Sequence, residues 1–202
     1  MTLDRTRATD DHGVEGNTRL TATNAAIIFV LLAIEGVTVL RVASMLRLHV
    51  FIGLVLVPPV LLKIGTTTYR AARYYLGSAS YRRRGPPPAI LRALGPFVVI
   101  LTLAVLATGV ELLVLGPAQR SPWLTLHKIS FILWFVAMTV HVLGHIAETA
   151  QVAPLDWQRH PASRVRGAGV RRVMIVITVM AGLALALIYQ PVVTDWLSHP
   201  AG

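Results

Sequence analysis

The sequence predicts an all-α integral membrane protein, a helical bundle of about five transmembrane helices. Only 14% of the 202 residues are charged and 54% are hydrophobic, with a mean hydropathy of +0.64, whereas about a quarter of the residues of a soluble domain are charged. The charges are also placed so that apolar runs of about 18 residues or more remain, which is long enough to cross a hydrocarbon core of about 30 Å.

Five stretches are predicted to span the membrane, at residues 22–40, 48–64, 90–115, 123–148 and 173–189. Together they form one bundle domain over residues 21–190. A disordered cytoplasmic tail is predicted over residues 1–20, which are polar and mixed in charge, and a short external tail over residues 191–202. Pro58 and Pro59 predict a kink in the middle of the second span, because neither can donate to the helical hydrogen-bond ladder.

Arginines predict the orientation of the bundle. The connection over residues 70–92 contains six Arg and that over residues 159–172 contains five, whereas the connection over residues 41–47 contains two basic residues and that over residues 116–122 contains one. Because cytoplasmic loops are rich in Lys and Arg, the N terminus is placed in the cytoplasm and the C terminus outside. With 17 Arg against 2 Lys, a GC-rich bacterial genome is indicated, and we expect a multi-pass protein of the bacterial inner (cytoplasmic) membrane.

Composition also restricts the cofactors and partners. Cysteine is absent, which excludes disulfides, Cys-ligated iron–sulfur clusters and covalent haem attachment. The net charge of +10 is accounted for by orienting loops, so membrane lipid and not nucleic acid is the expected partner of the basic residues. Any cofactor must be held by His, by carboxylates or by shape.

Four of the seven His lie in or at the ends of spans, where ionisable groups are costly and often functional. His49 and His127 each lie about one turn inside the outer end of spans two and four. These spans run in the same direction, so both imidazoles are predicted at one depth, as bis-His ligation of haem b requires. His141 follows His127 by 14 residues, so it shares a helix face about 21 Å deeper, and His145 follows at i+4.

Neighbouring residues suit such a cofactor. Gly53 lies one turn from His49 and leaves room for a macrocycle. Arg47 and Lys128 flank the two predicted ligands and could pair with haem propionates, although interface anchors would have the same placement. Glu35 and Glu111 are the acids within the spans, and either could accept a proton from a quinol or pair with an Arg at the outer surface.

In this pattern the chain resembles the membrane-integral cytochrome b subunits of formate dehydrogenases and nickel–iron hydrogenases. In that family a His of span two pairs with the first of two His, 14 residues apart, on span four, and a His at the start of span one pairs with the second. His49, His127 and His141 match, but residues 17–24 at the start of span one contain no His. The resemblance covers spans one to four and implies one haem b held by His49 and His127.

The second, inner haem is left open. Lys63 falls opposite His141 and could ligate as a neutral amine, or it could snorkel to the headgroups. His141 could hold a five-coordinate haem or line a quinone pocket, or it could chelate a metal with His145. Otherwise there is no inner haem.

The expected function is that of a b-type cytochrome-like subunit that carries electrons between quinone and a separate redox partner subunit. The chain has too little material outside the membrane for a flavin, molybdenum or iron–sulfur domain, so any enzyme role is that of a non-catalytic electron-transfer subunit. The alternative is a haem-free membrane anchor or assembly protein, whose His serve as hydrogen-bonding groups between helices.

Overall fold

The computed structural model describes residues 2–86, 88–158 and 165–198, and these residues form helices and turns without a strand. Short 3₁₀ turns, Pro117–Gln119 and Ala153–Asp156, flank the fifth helix. The predicted loop residue His160 and the terminal His199 lie outside the described residues, as do residues 199–202 of the predicted external tail. The helices in chain order are α1 (Thr2–Leu40), α2 (Val42–Tyr75), α3 (Ala79–Arg84), α4 (Ala89–Leu115), α5 (Arg120–Val152) and α6 (Ala168–Ser198).

The predicted membrane-bundle fold is confirmed. Within the described part of the chain, five helical segments are long and apolar enough to cross a membrane, and they involve α1, α2, α4, α5 and α6. Large apolar side chains cover the outside of the bundle, as illustrated by Phe97, Ile132 and Leu143, which are 61–71% exposed. Such a surface is stable against lipid tails and not against water.

The five long helices pack in the order α6, α2, α1, α5, α4, with the most extensive contacts between successive helices. Within it, α2 packs mainly against α6 and α1, and α5 packs mainly against α4. The backbones of α2 and α5 make at most marginal contact. The two helices that carry His49 and His127 are therefore separated.

The contact between α2 and α6 depends on a proline and a glycine. Pro59 has no N–H, so the carbonyl of Val55 loses its helical donor. Gly182 of α6 lies so close to this carbonyl that a Cβ atom would collide with it. The absence of a side chain therefore allows the two backbones to pack together, as small residues do in membrane helices.

The two prolines predicted to kink α2 have helical backbone angles, and the one residue of α2 with non-helical angles lies near the start of the helix. Pro58 and Pro59 are within continuous helix, and the backbone leaves helical geometry at Met45, with φ −119° and ψ 19°. A neighbouring helix supports the proline segment, because the amide Nδ2 of buried Asn24 donates to the carbonyl oxygen of Pro59 at 2.7 Å. This hydrogen bond ties α1 to the proline segment of α2.

Both chain ends are more helical than the sequence predicts. In place of a disordered tail over residues 1–20, α1 begins at Thr2, and Thr18 and Arg19 are buried. At the other end, α6 continues to Ser198 and buries Val193 completely. Contacts with residues distant in the chain account for both differences, and hydropathy alone does not detect them.

An ion-pair network holds the first half of α1 through Arg19, and we call Arg19, Asp156 and Arg171 the Asp156 cluster. The Asp156 carboxylate is 4% exposed and accepts bonds from Nε and Nη2 of Arg171, the latter at 2.7 Å, and from Arg19 Nη1 at 3.3 Å. Glu15 adds a bond to Arg19 Nε at 3.0 Å. The cluster thus joins α1, the turn after α5 and the start of α6.

Candidate functional site

His49 and His127 meet inside the bundle, at the end where α1 finishes and α2 begins. The centroids of their rings lie 6.4 Å apart, with the ring planes at 77°. Both side chains are partly buried. The two imidazoles therefore lie close together, as the sequence predicts, in the space that separates α2 from α5. We call these two residues with Glu35, Thr38 and Thr108 the His49–His127 site.

The His49 ring is anchored to α1. Its Nδ1 atom lies 2.9 Å from Glu35 Oε1 and 3.1 Å from Thr38 Oγ1. The Thr38 hydroxyl donates to the backbone oxygen of Glu35 at 2.7 Å and also lies 3.0 Å from Glu35 Oε2. Since its own hydrogen is directed to Glu35, the hydroxyl can only accept at His49. The hydrogen of His49 is thereby placed on Nδ1.

The His127 ring is anchored to α4 by a similar arrangement. Its Nδ1 atom lies 3.0 Å from Thr108 Oγ1. The Thr108 hydroxyl donates to the backbone oxygens of Ala104 at 2.8 Å and Val105 at 3.1 Å, so towards His127 it acts as acceptor. Each imidazole therefore has its lone pair on Nε2, the nitrogen that remains for a ligand.

Two glycines lie beside the pair. A Cβ atom at Gly109 would come within 3.2 Å of His127 Cε1, so this glycine makes room for the imidazole. At Gly53 a Cβ atom would lie 3.5 Å from Glu35 Oε1. The space at Gly53, which the sequence assigns to a macrocycle, is thus next to the carboxylate that holds His49.

Another polar contact between α5 and α4 lies two helical turns after His127. Trp134 is buried, and its indole Nε1 donates to Thr102 Oγ1 at 2.9 Å. Phe131 lies 6.0 Å from Trp134, centroid to centroid. These aromatic side chains join α5 to α4 and pack the core between the two predicted depths.

The inner residues form a different group at the opposite end of the bundle. Lys63 donates from Nζ to the backbone oxygen of Thr21 at 3.3 Å, and it lies close enough to His141 and His145 to interact electrostatically. The rings of His141 and His145 are 4.8 Å apart, centroid to centroid, and the buried Nδ1 of His141 has no partner among the described residues. Lys63 thus points towards α1 within the bundle.

The flanking charges lie apart from the His pair. Arg47 and Lys128 are exposed, and Arg47 borders an open cleft of about 380 Å³ together with Phe51 and Gln190. Glu111 is exposed and has no ion-pair partner within the described ranges. Glu35 pairs with His49 and not with an arginine.

Sequence reasoning missed the residues that hold the two rings. Thr38, Thr108 and Gly109 have no distinctive spacing, because each lies on a different helix from the imidazole it touches. Glu35 was singled out as a buried acid but without its His49 contact. The one available signal was a polar side chain within an apolar span, which Thr38, Thr108 and Glu35 share.

The two imidazoles of the site suit the two axial positions of a haem iron better than a metal ion bound by protein side chains alone. In the part of the chain that the structure describes, no group of three or more His, Cys, Asp or Glu side chains is arranged to hold a metal ion. A haem iron needs only two axial protein ligands, since the porphyrin supplies the other four.

Comparison of the chain with protein-family models, with curated proteins and with solved structures gives no match.

Proposed function

We propose that the protein is a b-type cytochrome-like membrane subunit, in which His49 and His127 are the axial ligands of one haem b. It would carry electrons between quinone and a separate redox partner subunit. The observation that carries this proposal is the meeting of two imidazoles, each with Nε2 left for a metal, between two helices that do not pack directly together. A haem held there would supply a one-electron ferric/ferrous couple.

The spacing of the two rings supports the proposal. A metal–imidazole bond is about 2.0 Å long and the ring centroid lies about 1.1 Å beyond the nitrogen, so two axial imidazoles have centroids about 6.2 Å apart. The observed separation is 6.4 Å. The same separation also falls within the range of about 4.5–7 Å for ordinary contacts between aromatic rings, so the spacing is compatible with haem ligation but is not specific to it.

The hydrogen bonds at Nδ1 support it as well. An axial His ordinarily donates its second ring nitrogen to a carboxylate, a carbonyl or a hydroxyl, which fixes the tautomer and the ring orientation. Glu35 and Thr38 provide this contact for His49, and Thr108 provides it for His127. The chain's own residues thereby hold both imidazoles in the form that binds iron.

The partners and the location follow from the same proposal. Quinone is the expected membrane-soluble partner, and a separately encoded redox subunit is the other. We further propose that the Arg-rich connections face the cytoplasm of a bacterium, with the N terminus inside and the C terminus outside, as the positive-inside rule predicts. The resemblance to cytochrome b subunits gives this role its closest precedent.

A reduced-minus-oxidised visible spectrum of the purified protein tests the proposal, together with a pyridine haemochrome count. The protein should be produced in cells that make haem. We expect a sharp low-spin b-type signal and one haem per chain. A chain that contains no haem under these conditions would rule the proposal out.

One observation favours the alternative, a haem-free anchor or assembly protein. The contacts of His49 with α1 and of His127 with α4 already satisfy one nitrogen of each ring, and such interhelical hydrogen bonds stabilise membrane bundles by about 0.6–2 kcal/mol each. Under this alternative, a His49→Gln, His127→Gln double variant assembles with its partners as the unchanged protein does.

A further inference from the structure

The two imidazoles of the His49–His127 site have unequal hydrogen-bond acceptors. His49 donates towards a carboxylate oxygen at 2.9 Å, whereas His127 donates towards a hydroxyl oxygen at 3.0 Å. The Glu35 side chain is 14% exposed and that of His49 is 21% exposed, so little water screens the contact between them. Hydrogen bonds to carboxylates are shorter and stronger than those to neutral groups, and a weakly screened environment increases the difference.

Thr38 gives the carboxylate a fixed position. Its completely buried side chain contacts both Glu35 Oε2 and His49 Nδ1. The three residues therefore form a closed arrangement in which one oxygen of Glu35 faces the imidazole and the other faces the hydroxyl. No comparable acid contacts His127 among the described residues.

A carboxylate at Nδ1 changes what the opposite nitrogen offers to a metal. Partial transfer of the Nδ1 hydrogen towards the acceptor makes the imidazole more basic, and a more basic ligand stabilises the more positively charged state of a metal. For a haem, the ferric state is stabilised relative to the ferrous state. One electron converts the first into the second, and no bond of the imidazole is broken.

We propose that Glu35, positioned by Thr38, makes His49 the stronger donor of the two axial ligands and holds the haem at a lower reduction potential than an ordinary bis-His haem. This inference rests on the proposed function, because it requires a haem between His49 and His127. Glu35 is a positioning residue in this account, since it acts on the haem only through His49.

The test is a redox titration of the purified haem-loaded protein, followed by visible absorbance. Glu35→Gln keeps an acceptor oxygen but weakens it. We expect the ratio of reduced to oxidised haem at a fixed potential to rise at least tenfold, which is a shift of about 59 mV to more positive potential for a one-electron couple. Thr108→Val removes the hydroxyl acceptor at His127 but leaves the backbone oxygen of Val105, so it should give a smaller shift.

Glu111→Gln is the matched control. Glu111 lies one helical turn beyond Thr108 on α4 and is exposed, so the variant removes an acid at a similar depth that touches neither imidazole. Its titration should coincide with that of the unchanged protein. An equal shift in Glu35→Gln and Glu111→Gln, or no shift in either, would overturn the inference and leave the haem assignment intact. An unchanged protein without haem overturns the proposed function instead.

Two variants of Thr38 test the effect of Glu35 on the reduction potential if Glu35→Gln loses its haem. Thr38→Val removes the hydroxyl that fixes the carboxylate and should shift the potential in the same direction, by about threefold in the ratio. Thr38→Ser keeps the hydroxyl and should restore the original titration. Equal titrations for the Val and Ser variants would contradict the inference.

Discussion

The two ends of the bundle use polar side chains in different ways. In the His49–His127 site, two imidazoles face each other, and each is held at Nδ1 by a group on a neighbouring helix. In the Asp156 cluster at the opposite end, two arginines bind a buried carboxylate directly and join α1, the turn after α5 and the start of α6. The first arrangement leaves two nitrogens available to a ligand, whereas the second uses its charges to hold helices together.

The inner His show the same contrast within one residue type. His141 and His145 are close, but they lie on one helix, and the Nδ1 of His141 is without a partner among the described residues. A single helix cannot place two imidazoles on opposite sides of a macrocycle. We therefore expect the two ends to respond to mutation in opposite ways.

The largest expected effect is on haem binding. His127→Ala should abolish the low-spin b-type signal, because one axial ligand is lost, whereas the matched His141→Ala should retain it at full amplitude per chain. Reduced-minus-oxidised spectra of the two purified variants make the measurement. Loss of the signal in both variants, or in His141→Ala alone, would remove the proposed difference between the ends.

A large effect on stability is expected at the Asp156 cluster. Asp156→Ala leaves Arg171 buried without its carboxylate, which costs about 3–5 kcal/mol in the free energy of unfolding. The control is Glu148→Ala, whose side chain is 55% exposed with ion-pair distances of 3.9 Å. Exposed pairs of this kind contribute about 0–1 kcal/mol.

Unfolding in mixed micelles at increasing sodium dodecyl sulfate, followed by circular dichroism, compares these two variants. Equal midpoints for Asp156→Ala and Glu148→Ala would show that the buried network does not stabilise this end.

A smaller effect is expected from Gly109→Ala. The added Cβ atom would lie 3.2 Å from His127 Cε1, and displacing the ring costs about 1–3 kcal/mol through overpacking. Gly95→Ala on the same helix meets no atom within 4 Å and is the control. Haem loss to excess apomyoglobin should be faster for the Gly109 variant, and indistinguishable rates would contradict the tight fit at His127.

The smallest effect belongs to Trp134→Phe, between the two ends. The change removes the bond from the indole to Thr102 and should lower the free energy of unfolding by about 0.5–1.5 kcal/mol. The visible spectrum should stay as in the unchanged protein, since the described ring contact of Trp134 is with Phe131 and not with either imidazole. A displaced haem band would place Trp134 in the cofactor environment.

Hydropathy was sufficient to predict the class of fold, because a membrane helix needs only a long apolar run. The pairing of His49 with His127 followed from their equal depth in parallel spans. The helical conformation around Arg19, in the first half of α1, could not be predicted in this way, because Arg19 is held there by Asp156, 137 positions away. A polar stretch of that composition is typical of a tail unless a distant partner holds it.

The groups that hold the imidazoles could not be predicted from the sequence either, because their contacts are also between residues on different helices. Thr38 contacts His49 across a helix pair, and Thr108 contacts His127 across another. Threonine is common in membrane spans, where it usually bonds to its own helix, so its presence alone indicates no site. Only the rotation of each helix about its axis shows which hydroxyls face an imidazole.

The most direct test of the haem assignment is the near-infrared magnetic circular dichroism of the ferric protein, in which the energy of the charge-transfer band identifies the axial ligands. The account predicts one low-spin haem per chain with the bis-imidazole band, absent from His49→Ala. A His–amine band would instead place the haem at Lys63 and His141, and the absence of any low-spin haem would contradict the account altogether.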